Sequence, residues 1–227
     1  MAVMTLALTA ITKLYQTVNS FKQAARSKIR IIREIHRSDA SSIFETEFDG
    51  EKCAMKLFHN NGDPGFAENG RDLNPFRCEL EAYENLNKYH VCKQGFVPCF
   101  YGYIDQLDPL AFQPVLQHSV KDQFHPNAIL LEYLPNAERL NCENYSDARY
   151  QYAIDGMKQI HKAHVHHQDI YPKNILFVPG TPERLVWVDF GVATTFSSLG
   201  PDEERRSQYE DTLVDQRQGL PPNTKFY

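Results

Sequence analysis

The sequence predicts an α+β fold: short strands with one intervening helix occupy residues 29–134, and a mainly helical part follows over residues 135–227. Three observations predict it. Short β-branched and alternating runs fill residues 29–58 and are joined at Asp49-Gly50, a strong two-residue hairpin signal. Two segments repeat apolar residues at helical spacing, Phe76, Leu80, Tyr83, Leu86 and then Tyr150, Ala153, Ile154, Met157, Ile160, His164. Two short apolar runs, Ile175 to Val178 and Leu185 to Val188, bracket a polar stretch and have strand length.

Before the first strand, Leu8, Ile11, Leu14, Tyr15, Val18 and Phe21 recur at helical spacing, which predicts an amphipathic helix within residues 1–28, packed on the protein's own body or, alternatively, laid on a membrane surface or a partner. This run is too short to span a bilayer and lacks the basic start of a signal peptide. Ile29 to Ile35 is the first predicted strand, Ile43 to Phe48 the second, and the run from Cys53 through Lys56 to Phe58 the third. Lys56, flanked by apolar residues in a half-buried strand, needs an anion. His59 to Leu73 is rich in Asn, Gly and Asp and reads as loop. Asn74-Pro75 supplies an N-cap and a first-turn proline for a helix to about Tyr89. Val97 to Ile104 is a fourth strand, residues 105–126 a long irregular connection that is either functional or mobile, and Ala128 to Leu134 a fifth strand. Ser146-Asp147 caps the second helix, and a charged helix over about Asp202 to Gln216, with Tyr209, Leu213 and Val214 inward, precedes a Gly219-Leu-Pro-Pro stop.

Composition narrows the function classes. A chain of 227 residues can bury a sizeable core as one domain or two lobes of one unit. A net charge of -5 with mixed signs argues against a dedicated nucleic-acid binder. The cysteines, Cys53, Cys78, Cys92, Cys99 and Cys142, are odd in number and form no C-x-x-C, so they suggest neither a disulfide framework nor a zinc site and fit an intracellular, cytoplasmic setting. His161, His164, His166 and His167 cluster without a matched ligand set, and read as the ordinary histidines of a helix end.

Residues 167–191 hold the densest chemistry. His167-Gln-Asp-Ile-Tyr-Pro-Lys-Asn must be a loop, because Pro172 lacks a backbone donor and disfavours helix through Tyr171. Asp169 and Asn174 stand five residues apart within it. The apolar run from Leu185 delivers Asp189 to a strand end, and Phe190-Gly191 follow. Either half alone arises by chance; in this order, around two short apolar runs, they are specific. The competing reading makes Asp169 and Asp189 plain turn carboxylates.

From Ile29 to about Thr195 this pattern resembles the protein-kinase-like superfamily, and in detail its short atypical members: RIO-type and aminoglycoside-phosphotransferase-type kinases and small kinase-like proteins of filamentous fungi. The resemblance implies a two-lobed fold with a five-stranded antiparallel N-lobe, residues 29–134, and an abbreviated helical C-lobe, residues 135–227. It implies that Asp169 orients or deprotonates an acceptor hydroxyl and that Asn174 and Asp189 hold magnesium. Lys56, steadied by Glu79 or Glu81 with Glu79 in the better register, would grip the ATP phosphates, and the backbone from Glu132 to Leu134 would face adenine behind Leu131. Ser41 and Ser42, in a stretch without glycine, would offer N–H and hydroxyl groups to phosphate.

There are departures. Gln168 replaces the arginine and Tyr171 the lysine of the usual loop, leaving Lys173 to neutralise the γ-phosphate; only 36 residues follow Gly191. The implied function is transfer of the ATP γ-phosphate to a hydroxyl of a protein serine or threonine or of a small molecule. The alternative is a pseudokinase or kinase-fold scaffold.

Overall fold

Asp49 and Gly50 both hold left-handed backbone, φ +51° and +87°, and close a two-residue turn between Phe48 and Glu51. That is the twist two-residue hairpins prefer, and it sets the register of the first three strands. The computed structural model describes residues 28–216. β1 (Ile29–Arg37), β2 (Ser41–Phe48), β3 (Glu51–Phe58), β4 (Phe100–Ile104) and β5 (Asn127–Glu132) form one antiparallel sheet in the order β1-β2-β3-β5-β4. Phe44, Phe48, Met55, Leu57, Ile129 and Leu130 fill its core, and full burial of each such side chain contributes about 1.5–3 kcal/mol.

β1 runs two residues past the predicted Ile35 and lies on the edge, with Ile32 and Ile35 exposed. Charge holds it. Glu45 on β2 accepts from Arg33 Nε (2.8 Å), Lys52 Nζ (2.8 Å) and the Tyr133 hydroxyl (3.1 Å), so three strands share one carboxylate. The Lys52 hydrogen bond, helped by those of Tyr133 and Arg33, holds the Glu45 carboxyl below its ordinary value.

The connection over residues 105–126 is not an open loop. Two 3-10 turns, Pro109–Phe112 and Gln117–Lys121, place Leu107 and Leu116 in the interior. His118 Nε2 meets Ser42 Oγ at 3.2 Å, and His59 Nδ1 meets Asp122 Oδ2 at 2.8 Å, fastening the segment to β2 and to the residue after β3. These polar pairs join residues more than sixty positions apart, a separation no local pattern announces.

A second unit comprises Pro64–Cys99 and residues 134–216; the sheet, with residues 28–63 and Phe100–Tyr133, is the first. In the second unit α1 (Pro75–Lys88) begins where expected, with Asn74 Oδ1 accepting from the amides of Phe76 and Arg77. Its buried face is Cys78, Glu79, Ala82, Tyr83 and Leu86; Phe76 and Leu80 are only half-buried. α2 (Val91–Gln94) is a single turn, and α3 (Asp147–Lys162) is capped by Ser146 Oγ on the Arg149 amide. β6 (Glu138–Arg139), β8 (Ile175–Val178) and β9 (Arg184–Trp187) make a three-stranded sheet, while β7 (Val165–His166) pairs with β10 (Thr194–Thr195). Trp187, fully buried, donates Nε1–H to the Ala153 carbonyl and packs on Gly156, tying β9 to α3.

α4 (Pro201–Gln216) matches the predicted terminal helix, with one correction: Val214 is buried, but Tyr209 is 64% exposed. Its inward stripe is instead Ser207, Glu210 and Val214. The amphipathic helix expected for residues 1–28 lies, Lys28 apart, outside the described residues, as does the Gly219 stop. Among the described residues no helix is long and apolar enough to cross a membrane.

Candidate functional site

The loop between β7 and β8 is built around His167. This imidazole is fully buried against Trp187 and Phe190, with ring centroids 5.3 and 4.6 Å away. Its Nε2–H donates to the Val188 carbonyl at 3.1 Å, and its Nδ1 accepts the Asp169 amide at 3.3 Å. That pairing requires the neutral ring, and burial pushes its pKa down accordingly. One side chain therefore fixes both the backbone of Asp169 and the residue before Asp189.

Asp169 and Asn174 come together as their spacing implies. Asn174 Nδ2 donates to the Asp169 carbonyl (2.8 Å) and to Asp169 Oδ2 (2.9 Å), while Pro172–Asn174 form one 3-10 turn with the Asn174 amide on the Tyr171 carbonyl. Lys173 Nζ lies 3.0 Å from the same Oδ2. Asp169 Oδ1 takes no hydrogen bond among the described residues. Because both N–H groups of the Asn174 amide face Asp169, its Oδ1 is directed elsewhere.

The Val188 amide donates to the Asn174 carbonyl at 3.0 Å, which brings the second half of the motif alongside the first. Asp189 itself adopts φ +68°, an uncommon conformation for a residue with a side chain and one that recurs at functional sites. Gly191 lies close to both acidic groups: a Cβ built there would be in ordinary van der Waals contact with Asp189 Oδ1 (3.6 Å) and Glu79 Oε2 (3.7 Å). The two carboxylates thus flank one glycine. Glu79 is 1% exposed, whereas Glu81 faces solvent and burial with Asp72 nearby raises its pKa.

The remaining expected residues lie as follows. Lys56 on β3 is 7% exposed, in register with Ile43 and Ile129, its Nζ 5.2 Å from the Phe58 ring centroid. Glu132 ends β5, and the boundary between units falls between Tyr133 and Leu134. The turn before β2 is closed on itself: Ser38 N–H and Oγ–H both donate to the Ser41 carbonyl, at 2.8 and 3.0 Å, and the Ser41 amide donates to Ser38 Oγ at 3.2 Å. Ser42 is fully buried with its hydroxyl on His118, which corrects the expectation that it faces phosphate.

The histidine cluster also differs from expectation. His161 and His166 are buried, not solvated helix-end groups. His161 sits between Glu210 Oε2 (Nε2, 2.9 Å) and Asp211 Oδ1 (Nδ1, 3.0 Å). Burial opposes its charge, but the two carboxylates prevail and raise its pKa. His166 Nε2–H donates to Ser207 Oγ at 2.9 Å, that hydroxyl being a donor to the Glu203 carbonyl. Glu210, which accepts the His167 and Gln168 amides, went unread in the sequence, because a buried glutamate in a charged helix has no periodic signature.

No family model matches the chain. It is 26% identical over 143 residues to the maternal embryonic leucine zipper kinase of Danio rerio, a match covering 63% of this chain and 18% of that protein. The chain therefore spans about a fifth of the length of that curated relative, and the match suggests a kinase-like relationship.

Proposed function

We propose that the chain is an ATP- and magnesium-dependent phosphotransferase with a two-lobed kinase-like fold, nearest in kind to the short RIO-type and aminoglycoside-phosphotransferase-type kinases. The observation that carries this is the Asp169, Lys173 and Asn174 constellation. One carboxylate oxygen is held by an amide and an ammonium while the other stays open to a substrate hydroxyl.

Asp169 Oδ1 would orient the acceptor hydroxyl and take its proton, and Lys173 would stabilise negative charge on the group in transfer. Asn174 and Asp189 offer an amide oxygen and a carboxylate, the hard oxygen donors magnesium requires, and would hold it. The ion, when bound, supplies charge neutralisation on the nucleotide phosphates. Lys56 would bind those phosphates and Glu79 would steady it; a carboxylate as buried as Glu79 requires a cation or several donors. Backbone from Glu132 to Leu134 would meet the adenine, and Ser41 stays a candidate phosphate neighbour. The acceptor is a hydroxyl of a protein or small molecule, in a cytoplasmic setting.

One observation favours a second reading, a kinase-fold binding protein without turnover. The Ser38–Ser41 turn uses its own donors internally and has no glycine to admit phosphate closely. Thermal unfolding with and without ATP and magnesium separates the cases, since nucleotide at a hundredfold excess over Kd stabilises by about 2.7 kcal/mol. A magnesium-dependent shift with γ-phosphate release or transfer supports the enzyme. A shift without turnover supports a nucleotide-binding pseudokinase, and no shift at millimolar nucleotide defeats the enzyme and leaves the kinase-fold scaffold.

A further inference from the structure

Lys158 and Lys162 stand one turn apart on α3, at the spacing where like charges on a helix repel. Among the described residues neither makes an ion pair or a side-chain hydrogen bond, and the Glu204 carboxylate on α4 has no partner either. All three line one cleft between α3 and α4, about 700 Å³ in volume. Each long wall is a single i, i+3, i+4, i+7 stripe, from Asp155 to Lys162 on α3 and from Glu204 to Asp211 on α4. Phe96 and Leu199, both half-buried, supply its apolar surface. Gly156 admits the Phe96 ring, since a Cβ there would stand 3.0 Å from it.

The free groups on the two walls are opposite in sign. On α3, Asp155 is already engaged by Gln151 Nε2 at 3.3 Å, which leaves the two lysines. On α4, Glu204 is free, and Asp211 sets Oδ1 against His161 Nδ1 at 3.0 Å while its Oδ2 has no partner among the described residues. His161 does not neutralise this wall, because Glu210 meets its other nitrogen at 2.9 Å and two carboxylates share one ring. Closing the walls by long side chains would gain little, as exposed ion pairs give back most of their attraction in side-chain entropy and screening. A small molecule that already carries both charges at a fixed separation avoids that entropic cost. A lone anion would meet the carboxylates of α4, and a lone cation the lysines of α3.

We propose that this cleft is a ligand site in its own right and binds a zwitterion of amino-acid type. The carboxylate lies at Lys158 and Lys162, the ammonium at Glu204 and Asp211, and an apolar side chain on Phe96 and Leu199. The proposal goes beyond the phosphotransferase reading and does not rest on it.

The test is calorimetric titration and thermal unfolding of the full chain with L-leucine, the dipeptide leucyl-phenylalanine, N-acetyl-leucine and leucinamide. Leucine or the dipeptide is expected to bind and raise the unfolding midpoint. N-acetyl-leucine and leucinamide each lack one charge and should bind at least about tenfold more weakly, the worth of one hydrogen bond to a charged group. Lys158→Ala combined with Lys162→Ala should weaken the zwitterion at least about tenfold, and so should Glu204→Gln. All three positions are exposed, so the fold is kept. Binding of leucine assigns the site to a free amino acid, and binding of the dipeptide alone assigns it to a peptide.

Neither heat nor a shift with either zwitterion at millimolar concentration overturns the proposal. Equal affinity for N-acetyl-leucine or leucinamide does so too, and so does affinity that neither set of substitutions changes. ATP with magnesium, titrated in parallel, reports on the phosphotransferase reading alone, so the failure of one is told apart from the failure of the other.

Discussion

The Ser38–Ser41 turn and the His167–Asn174 loop are both closed by their own hydrogen bonds, yet they end in opposite states. In the turn, two donors of Ser38 and the amide of Ser41 point inward at one another. In the loop, the closing bonds are made by His167, by the Nδ2 of Asn174 and by backbone, leaving Asp169 Oδ1 without a donor among the described residues. A turn that satisfies itself with its reactive groups is a structural turn, and one satisfied by other groups keeps its chemistry available. Any activity should therefore depend sharply on the loop and weakly on the turn.

Asp169→Asn should produce the largest effect. The amide cannot take a proton, so turnover in a γ-phosphate transfer assay should fall by at least about a thousandfold, within the range that general-base catalysis and orientation together supply. The nucleotide-induced thermal shift should remain. Equal loss of both would mean that Asp169 supports the fold and not the reaction.

Next comes the residue that closes the loop. His167→Phe keeps the ring stack on Trp187 and Phe190 but strands the Asp169 amide and the Val188 carbonyl, both on half-buried residues. An unsatisfied buried partner costs about 1–3 kcal/mol and a half-buried one less, so the variant should lose about 1–3 kcal/mol in urea denaturation followed by Trp187 fluorescence. A loss under about 1 kcal/mol would show that water or rearrangement satisfies both groups, and would break the contrast drawn above.

The two histidines also divide the pH axis. His161 has a raised pKa in the folded chain, so its stabilisation is complete below the unfolded value of about 6.5 and fades as pH rises through the folded one. His167 has a lowered pKa, so its contribution is complete above about 6.5 and fades as pH falls toward the folded value. Stability should pass through a maximum between these limbs. His161→Gln should flatten the alkaline limb only, and a variant that flattens neither would remove His161 from the balance.

Much of this was legible in the sequence, and the unread parts share a cause. Asp49-Gly50, Asn74-Pro75 and Ser146 act on neighbours within a few residues, and each sits where local chemistry puts it. The loop spacing brings Asp169 to Asn174, because five residues around Pro172 leave little freedom. What escaped were polar pairs across long separations: Ser42 with His118, His59 with Asp122, and Glu210 with His161 and two amides. A buried glutamate and a solvated one look alike in a charged helix. Tyr209 was expected inward for its apolar ring, but three buried polar contacts, not apolar area, set the rotation of α4.

The smallest effect belongs to the turn. Ser38→Gly removes the hydroxyl that both donates to the Ser41 carbonyl and accepts the Ser41 amide, leaving only the backbone bond. Two exposed hydrogen bonds and added chain entropy together should lower stability by about 1 kcal/mol. The freed Ser41 amide and the missing side chain would let phosphate approach more closely, so nucleotide Kd should fall, by no more than about fivefold for one added neutral hydrogen bond. A larger gain would mean that the closed turn was the main barrier to nucleotide, and the binding-protein reading would weaken accordingly. If Kd is unchanged while stability drops, the turn is structural only, Ser41 leaves the list of phosphate neighbours, and nucleotide recognition must rest on Lys56 and the residues that follow β5.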